Sequence, residues 1–162
     1  MMIEITFEDF HDYNSLEEGE ERYELYVMSN GLGDVLYVGI SRNNIWNRWF
    51  AFGGHILWDG KYVIGQSPVG QKIVDHLPDS LQWKIQLWTI EDCIKFCNDI
   101  LPPLRGYTIE FVEPYMIKKL SPILNVTYNL SPGLDTTPKS KKEIEREKYL
   151  DKMYRQIFEK KT

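Results

Sequence analysis

The sequence predicts a mixed fold of the α+β kind, a small sheet flanked by helices with a further helix at the C-terminal end. Three stretches carry that expectation. Residues 23–28 and 35–40 are β-rich runs joined by a loop containing Asn30, Gly31, Gly33 and Asp34. Residues of that kind tolerate the turn conformations a hairpin loop needs, so the two runs read as a β-hairpin. Residues 81–88 alternate strictly between apolar and polar, the pattern of a strand with one buried face. In residues 107–120, Ile109, Val112, Met116, Ile117 and Leu120 recur at helical spacing, and Pro122 ends the run.

Taken in order, residues 1–21 mix apolar and acidic side chains, among them Ile3, Ile5, Phe7 and Phe10, and read equally as an edge strand or a short helix. The hairpin follows. Asn43 or Asn44 then caps a helix over 45–50, because a side-chain oxygen there accepts an otherwise unpaired amide proton. Gly53 and Gly54 end it and leave His55 on the following loop. Residues 56–65 read as irregular. Residues 67–77 form a helix with Pro68 in its first turn. Thr89 and Asp92 resemble a capping pair for a helix through Ile90, Ile94 and Phe96, which Pro102 and Pro103 stop. Residues 131–138 hold Pro132, Gly133 and Pro138 and read as a linker. Ser140 and Glu143 make a capping box for the last helix, whose apolar stripe is Ile144, Tyr149, Leu150, Met153, Tyr154, Ile157 and Phe158.

Composition sets the bounds. A chain of 162 residues, 43% hydrophobic and 14% aromatic, fits one folded domain with appended arms. No apolar run approaches the ~18–20 residues a membrane span needs, and the N-terminus shows no basic region ahead of an apolar stretch. Cys93 and Cys97, with no neighbouring His, are too few for structural zinc and suit a reducing compartment, so a cytoplasmic location is expected. The net charge of −5 is unevenly spread. Residues 1–24 carry nine acids against Arg22 alone, whereas residues 139–162 hold nine basic and five acidic residues. The division expected is an acidic arm over 1–21, a central domain over 22–127, and a linker with a basic amphipathic helix over 128–162.

The chemistry-bearing residues lie in the central part. Tyr26 and Tyr37 fall near matching positions of the hairpin strands, followed by Gly39, Arg48 and His55. Glu110 and Glu113 share a face of the helix over 107–120, and Asn125 follows Pro122. Any one of these taken alone has a packing or surface explanation. In this order and spacing they resemble the GIY-YIG nuclease family. Glu24-Leu25-Tyr26 resembles its first motif, with Glu and Leu for the usual Gly and Ile. Tyr37-Val38-Gly39 resembles its second, with Val for Ile. The following Arg, His, Glu, Pro and Asn complete a resemblance spanning about residues 22–127.

That resemblance implies three antiparallel strands, at about 22–28, 35–40 and 82–88, flanked by helices. It also implies an endonuclease that hydrolyses phosphodiester bonds in nucleic acid, DNA first among candidates, with one Mg²⁺ that Mn²⁺ could replace. Glu113 would be the metal ligand, since a carboxylate oxygen suits a hard cation whose shell is completed by water and phosphate. Arg48 would hold a phosphate oxygen and offset the charge that gathers there, with Arg42 its rival. Tyr37 would orient or deprotonate the attacking water, His55 relay that proton or bind phosphate, and Tyr26 position water or phosphate. Gly39 and Asn125 would line or brace the substrate site.

The flanks add three expectations. The C-terminal helix tracks a phosphate backbone, docks on its own domain, or pairs with a second copy as a homodimer. Trp46, Trp49, Phe50, Phe52 and Trp58 stack on unpaired bases or fill the core. The acidic arm shields the site against nonspecific nucleic acid. The rival to the nuclease is a catalytically inactive module of the same fold that binds nucleic acid or protein.

Overall fold

The computed structural model describes residues 1–12 and 21–159. The acids Glu17, Glu18 and Glu20 of the expected arm, and Lys160 and Lys161 of the basic tail, lie outside them. Strand β1 (Ile3–Thr6) runs into helix α1 (Phe7–Asp12), and the hairpin forms as β2 (Leu25–Ser29) and β3 (Val35–Ile40). Helix α2 (Ile45–Phe50) follows, then a short hairpin of β4 (Ile56–Trp58) and β5 (Val63–Gly65), and helix α3 (Pro68–Asp75). Strand β6 (Lys84–Trp88), helix α4 (Ile90–Phe96), helix α5 (Ile109–Leu120) and helix α6 (Lys141–Glu159) complete the order. Among the described residues no helix is long and apolar enough to cross a membrane.

The class is the expected one, with a strand more than expected. The main sheet is antiparallel in the order β1-β6-β2-β3. Its added member β1 comes from the segment whose sequence fits strand and helix equally. Ile3 and Ile5 pair with Leu87 and Ile85, while Glu4 lies opposite Gln86 on the other face and accepts its amide proton at 2.7 Å. Residues 56–65 are a second sheet rather than irregular chain: Ile56, Leu57 and Trp58 pair with Gly65, Ile64 and Val63. Strands of three residues are too short to show an alternation.

The main sheet is covered on both faces, which is why every residue from Leu25 to Met28 is buried. One face carries Tyr26, Met28, Ile85 and Leu87 beneath Phe7 and Phe10 of α1, Trp49 of α2 and Ile73 of α3. The other carries Leu25, Val27, Val38 and Trp88 beneath Cys93 of α4 and Ile109, Val112, Met116 and Ile117 of α5. The expected acidic arm is therefore in part a structural piece. Phe7 and Phe10 are fully buried, and Phe7 meets the Trp49 ring edge-on at 5.4 Å.

Beyond α5, Ser121 turns left-handed (φ 46°) and sends the chain back along the free edge of β3. Ile123 N–H donates to Val35 O at 3.0 Å and Leu124 N–H to Leu36 O at 2.8 Å. The expected linker is tied down as well. Asp34 accepts from the backbone and hydroxyl of Thr136, and the Asn30 amide donates to Thr137 Oγ1 at 2.6 Å.

Candidate active site

The site is built from the hairpin outward. Tyr26 lies directly across from Gly39, and its ring passes over that glycine. A Cβ on Gly39 would come 2.7 Å from Tyr26 Cε2 and closer still to Cζ and Oη. Gly39 is thus the absence of a side chain that lets Tyr26 cross the next strand, a packing role rather than the substrate contact expected. Tyr37 shares this face, its ring 6.2 Å from that of Tyr26.

Asn44 caps α2 by accepting from Asn47 N–H at 3.1 Å, which resolves the choice between two asparagines. The helix ends in a tight turn through Gly54, and His55 N–H donates to Arg48 O at 3.2 Å. That turn brings His55 under the tyrosines. Its Nε2 lies 2.6 Å from Tyr26 Oη, its Nδ1 lies 2.6 Å from Ser67 Oγ, and its ring lies 5.5 Å from that of Tyr37. Ser67 is the N-cap of α3 and also accepts from Gly70 N–H at 3.1 Å.

Only one placement of protons suits this chain of bonds. Burial lowers His55 from its ordinary 6.5 to about 3, and the nearby Arg48 charge adds to the effect, so the ring is neutral and has one donor and one acceptor. The Tyr26 hydroxyl is sealed from water and has no other bonding partner among the described residues, so its proton goes to Nε2. The Nδ1–H is then left to donate to Ser67, whose own proton reaches solvent because Ser67 is half-exposed.

Electrostatics joins Arg48 and Glu113 to this cluster. Burial raises the Tyr37 phenol above its ordinary value, Arg48 pulls it down and Glu113 pushes it up, the net being upward. The Tyr26 phenol is pushed far up by burial, with the same two charges acting on it. Both phenols therefore stay protonated at neutral pH. Arg48 is exposed. Arg42, its rival, is instead ion-paired with Glu110, and Arg22 donates to its carbonyl at 2.7 Å. His55 is too deeply buried to bind phosphate in this arrangement.

Asn125 does its bracing through the backbone. Its side-chain amide accepts from Val38 N–H at 2.9 Å and donates to Val38 O at 2.8 Å, completing the β3 edge between Tyr37 and Gly39. Both ends of the amide are thereby committed to the strand. Trp49, offered by the sequence for core or base stacking, is fully buried, its ring 4.5 Å from His55 and its indole Nε1 without a hydrogen-bond partner among the described residues.

Tyr26, Tyr37 and His55 thus meet, and the charges of Arg48 and Glu113 act on them. No family model, curated protein or solved structure matches the chain. What the cluster can do is read from its own chemistry. Glu113 is a half-buried carboxyl that has neither hydrogen bond nor ion pair with another described residue. Burial and the nearby Glu110 carboxylate both raise it above its ordinary value. A cation bound there would relieve both effects. Among the described residues no three His, Cys, Asp or Glu gather as a metal cage. A single carboxylate suits a Mg²⁺-like ion that keeps its waters and shares a phosphate.

Sequence reasoning missed Ser67 and the pairing of Glu110 with Arg42. Ser67 did carry a signal, a serine directly ahead of Pro68 at a helix start. Nothing in the sequence linked it to His55.

Proposed function

We propose that this chain is a metal-dependent endonuclease that hydrolyses phosphodiester bonds in nucleic acid, with DNA the first substrate to test. The observation that supports the reading is the contact of Tyr26, Tyr37 and His55, with the charges of Arg48 and Glu113 acting on the same tyrosines. Arg48, which is exposed, binds a non-bridging phosphate oxygen and offsets the charge that develops on it. Tyr37, half-exposed and protonated, orients the attacking water. Glu113 is the residue that would hold a divalent cation, which would supply Lewis-acid stabilisation of the charge that develops on the phosphate.

The proton that the attacking water loses passes to bulk solvent, because Tyr26 and His55 are sealed from water. The Tyr26–His55–Ser67 hydrogen bonds instead hold the layer beneath Tyr37 in place.

The test is Mg²⁺- and Mn²⁺-dependent cleavage of plasmid, branched and single-stranded substrates, with Glu113→Ala and Arg48→Ala alongside. Wild-type cutting that falls at least about a hundredfold in either variant is expected, the scale at which loss of one transition-state contact registers. Cutting unchanged in Glu113→Ala would refute the assignment of the metal ligand. Binding without cutting under all conditions would leave the inactive module as the reading.

A further inference from the structure

Helix α6 is held firmly at one end and bare at the other. Its first turns are fixed by a capping box, Ser140 Oγ accepting from Glu143 N–H at 3.2 Å and Glu143 Oε1 from Ser140 N–H at 3.0 Å. Arg146 clasps the buried Asp75 of α3, donating to Oδ1 at 2.7 Å, and Gln71 donates to the same carboxylate at 2.9 Å. Lys72 of α3 meets Glu143 at 2.6 Å and Asp135 at 2.7 Å, and His76 also pairs with Glu143. Burial raises the Glu143 carboxyl, but Lys72, the Ser140 amide and His76 outweigh that and hold it at about 2.

The face so anchored continues past the body. Glu143 and Arg146 point the same way round the helix as Tyr149, Leu150, Met153, Tyr154, Ile157 and Phe158, at 3.6 residues per turn. These six are 39–62% exposed, and no residue of α6 is buried. Docking on the chain's own domain, one of the three expected uses of this helix, does not cover the stripe.

We propose that the stripe is a dimer interface, in which α6 packs antiparallel against α6 of a second copy about a two-fold axis between Met153 and Tyr154. A two-fold interface must complement itself. The stripe does so: about that point Tyr149 matches Phe158, Leu150 matches Ile157 and Met153 matches Tyr154. The six side chains expose on the order of 600 Å² per chain, approaching the ~800 Å² per partner of a standard interface and at the upper end of what monomers leave bare. Rigid anchoring lowers the entropic cost of presenting them.

The experiment is sedimentation velocity on the full chain from low micromolar to several hundred micromolar, without substrate, so its outcome is independent of the nuclease reading. A concentration-dependent dimer is expected. Leu150→Glu with Ile157→Glu should be monomeric throughout, with unchanged circular dichroism because both side chains are exposed. Orientation is read by disulfide trapping, Cys93 and Cys97 being buried. Met153→Cys should cross-link to itself. Leu150→Cys should cross-link only to Ile157→Cys, because two copies of position 150 lie seven residues, about 10 Å, apart along an antiparallel pair. A monomer at every concentration, a dimer that survives the double Glu variant, or preferential self-linking of Leu150→Cys would overturn the proposal. In the first two cases the stripe would belong to another occupant, nucleic acid or an unrelated protein.

Discussion

At the residue scale, His55 ties stability to pH in a way that can be measured without any substrate. Its folded value of about 3 lies below its ordinary 6.5, with burial the larger cause and Arg48 the smaller. Below 6.5 the unfolded chain takes up a proton that the folded chain refuses, so stability is full above that value and falls as pH drops towards 3. The integrated loss is on the order of a few kcal/mol for a shift of this direction and size. Unfolding by urea between pH 7 and pH 4 should therefore show a steeper loss in wild type than in His55→Gln, which retains a donor and an acceptor but does not titrate. Parallel curves would mean that His55 takes its proton inside the fold. What made His55 legible was its place after Arg48 and the glycine turn. Its burial was not legible, because that depends on Trp49 and on β4, which no local pattern announced.

At the element scale, Ser67 joins a helix start to the site. Ser67→Ala removes the cap of α3, worth about 1 kcal/mol, and leaves the His55 Nδ1–H unpaired, worth about 1 kcal/mol more. Ser67→Thr keeps an oxygen for both and should stay within about 0.5 kcal/mol of wild type. Equilibrium denaturation of the two variants checks this, and equal stability would show that the hydroxyl supports neither bond. The same element shows where sequence reading holds. Helix α3, with Ser67, Pro68 and the apolar Ile73 and Val74, stands as expected, as do the β2–β3 hairpin, β6 and the capping box of α4. These elements announce themselves through local chemistry that tertiary packing then reinforces. Strand β1 did not, because Ile3 and Ile5 fit an edge strand and a helix face alike until Ile85 and Leu87 supply the partner.

At the scale of the whole molecule, the acidic N-terminal segment combines structure with charge, and the two must be tested separately. Removing it outright does not isolate the charge. Phe7 and Phe10 complete the core over one sheet face, and burial of one such ring is worth about 1.5–3 kcal/mol. With β1 lost as well, deletion of residues 1–12 should exhaust a typical stability of about 5–15 kcal/mol and abolish cooperative unfolding. The charge is reached instead through the exposed Glu8, Asp9 and Asp12 of α1, changed together to Gln, Asn and Asn. Helix α1 packs against α2, the helix of Arg48, with the Trp46 indole donating to His11 O at 2.9 Å. Helices in contact lie about 8–10 Å apart. That is roughly one Debye length at physiological salt but well inside the ~30 Å at 0.01 M. If the acids shield the site, the triple variant should bind a short DNA duplex several-fold more tightly at low salt, and the gain should vanish by physiological salt with the melting temperature little changed. Titration of a labelled duplex at the two salt concentrations measures it. Equal affinity at low salt would remove the shielding role and leave the segment its structural one, while a gain that persisted at high salt would mean direct contact between α1 and the DNA.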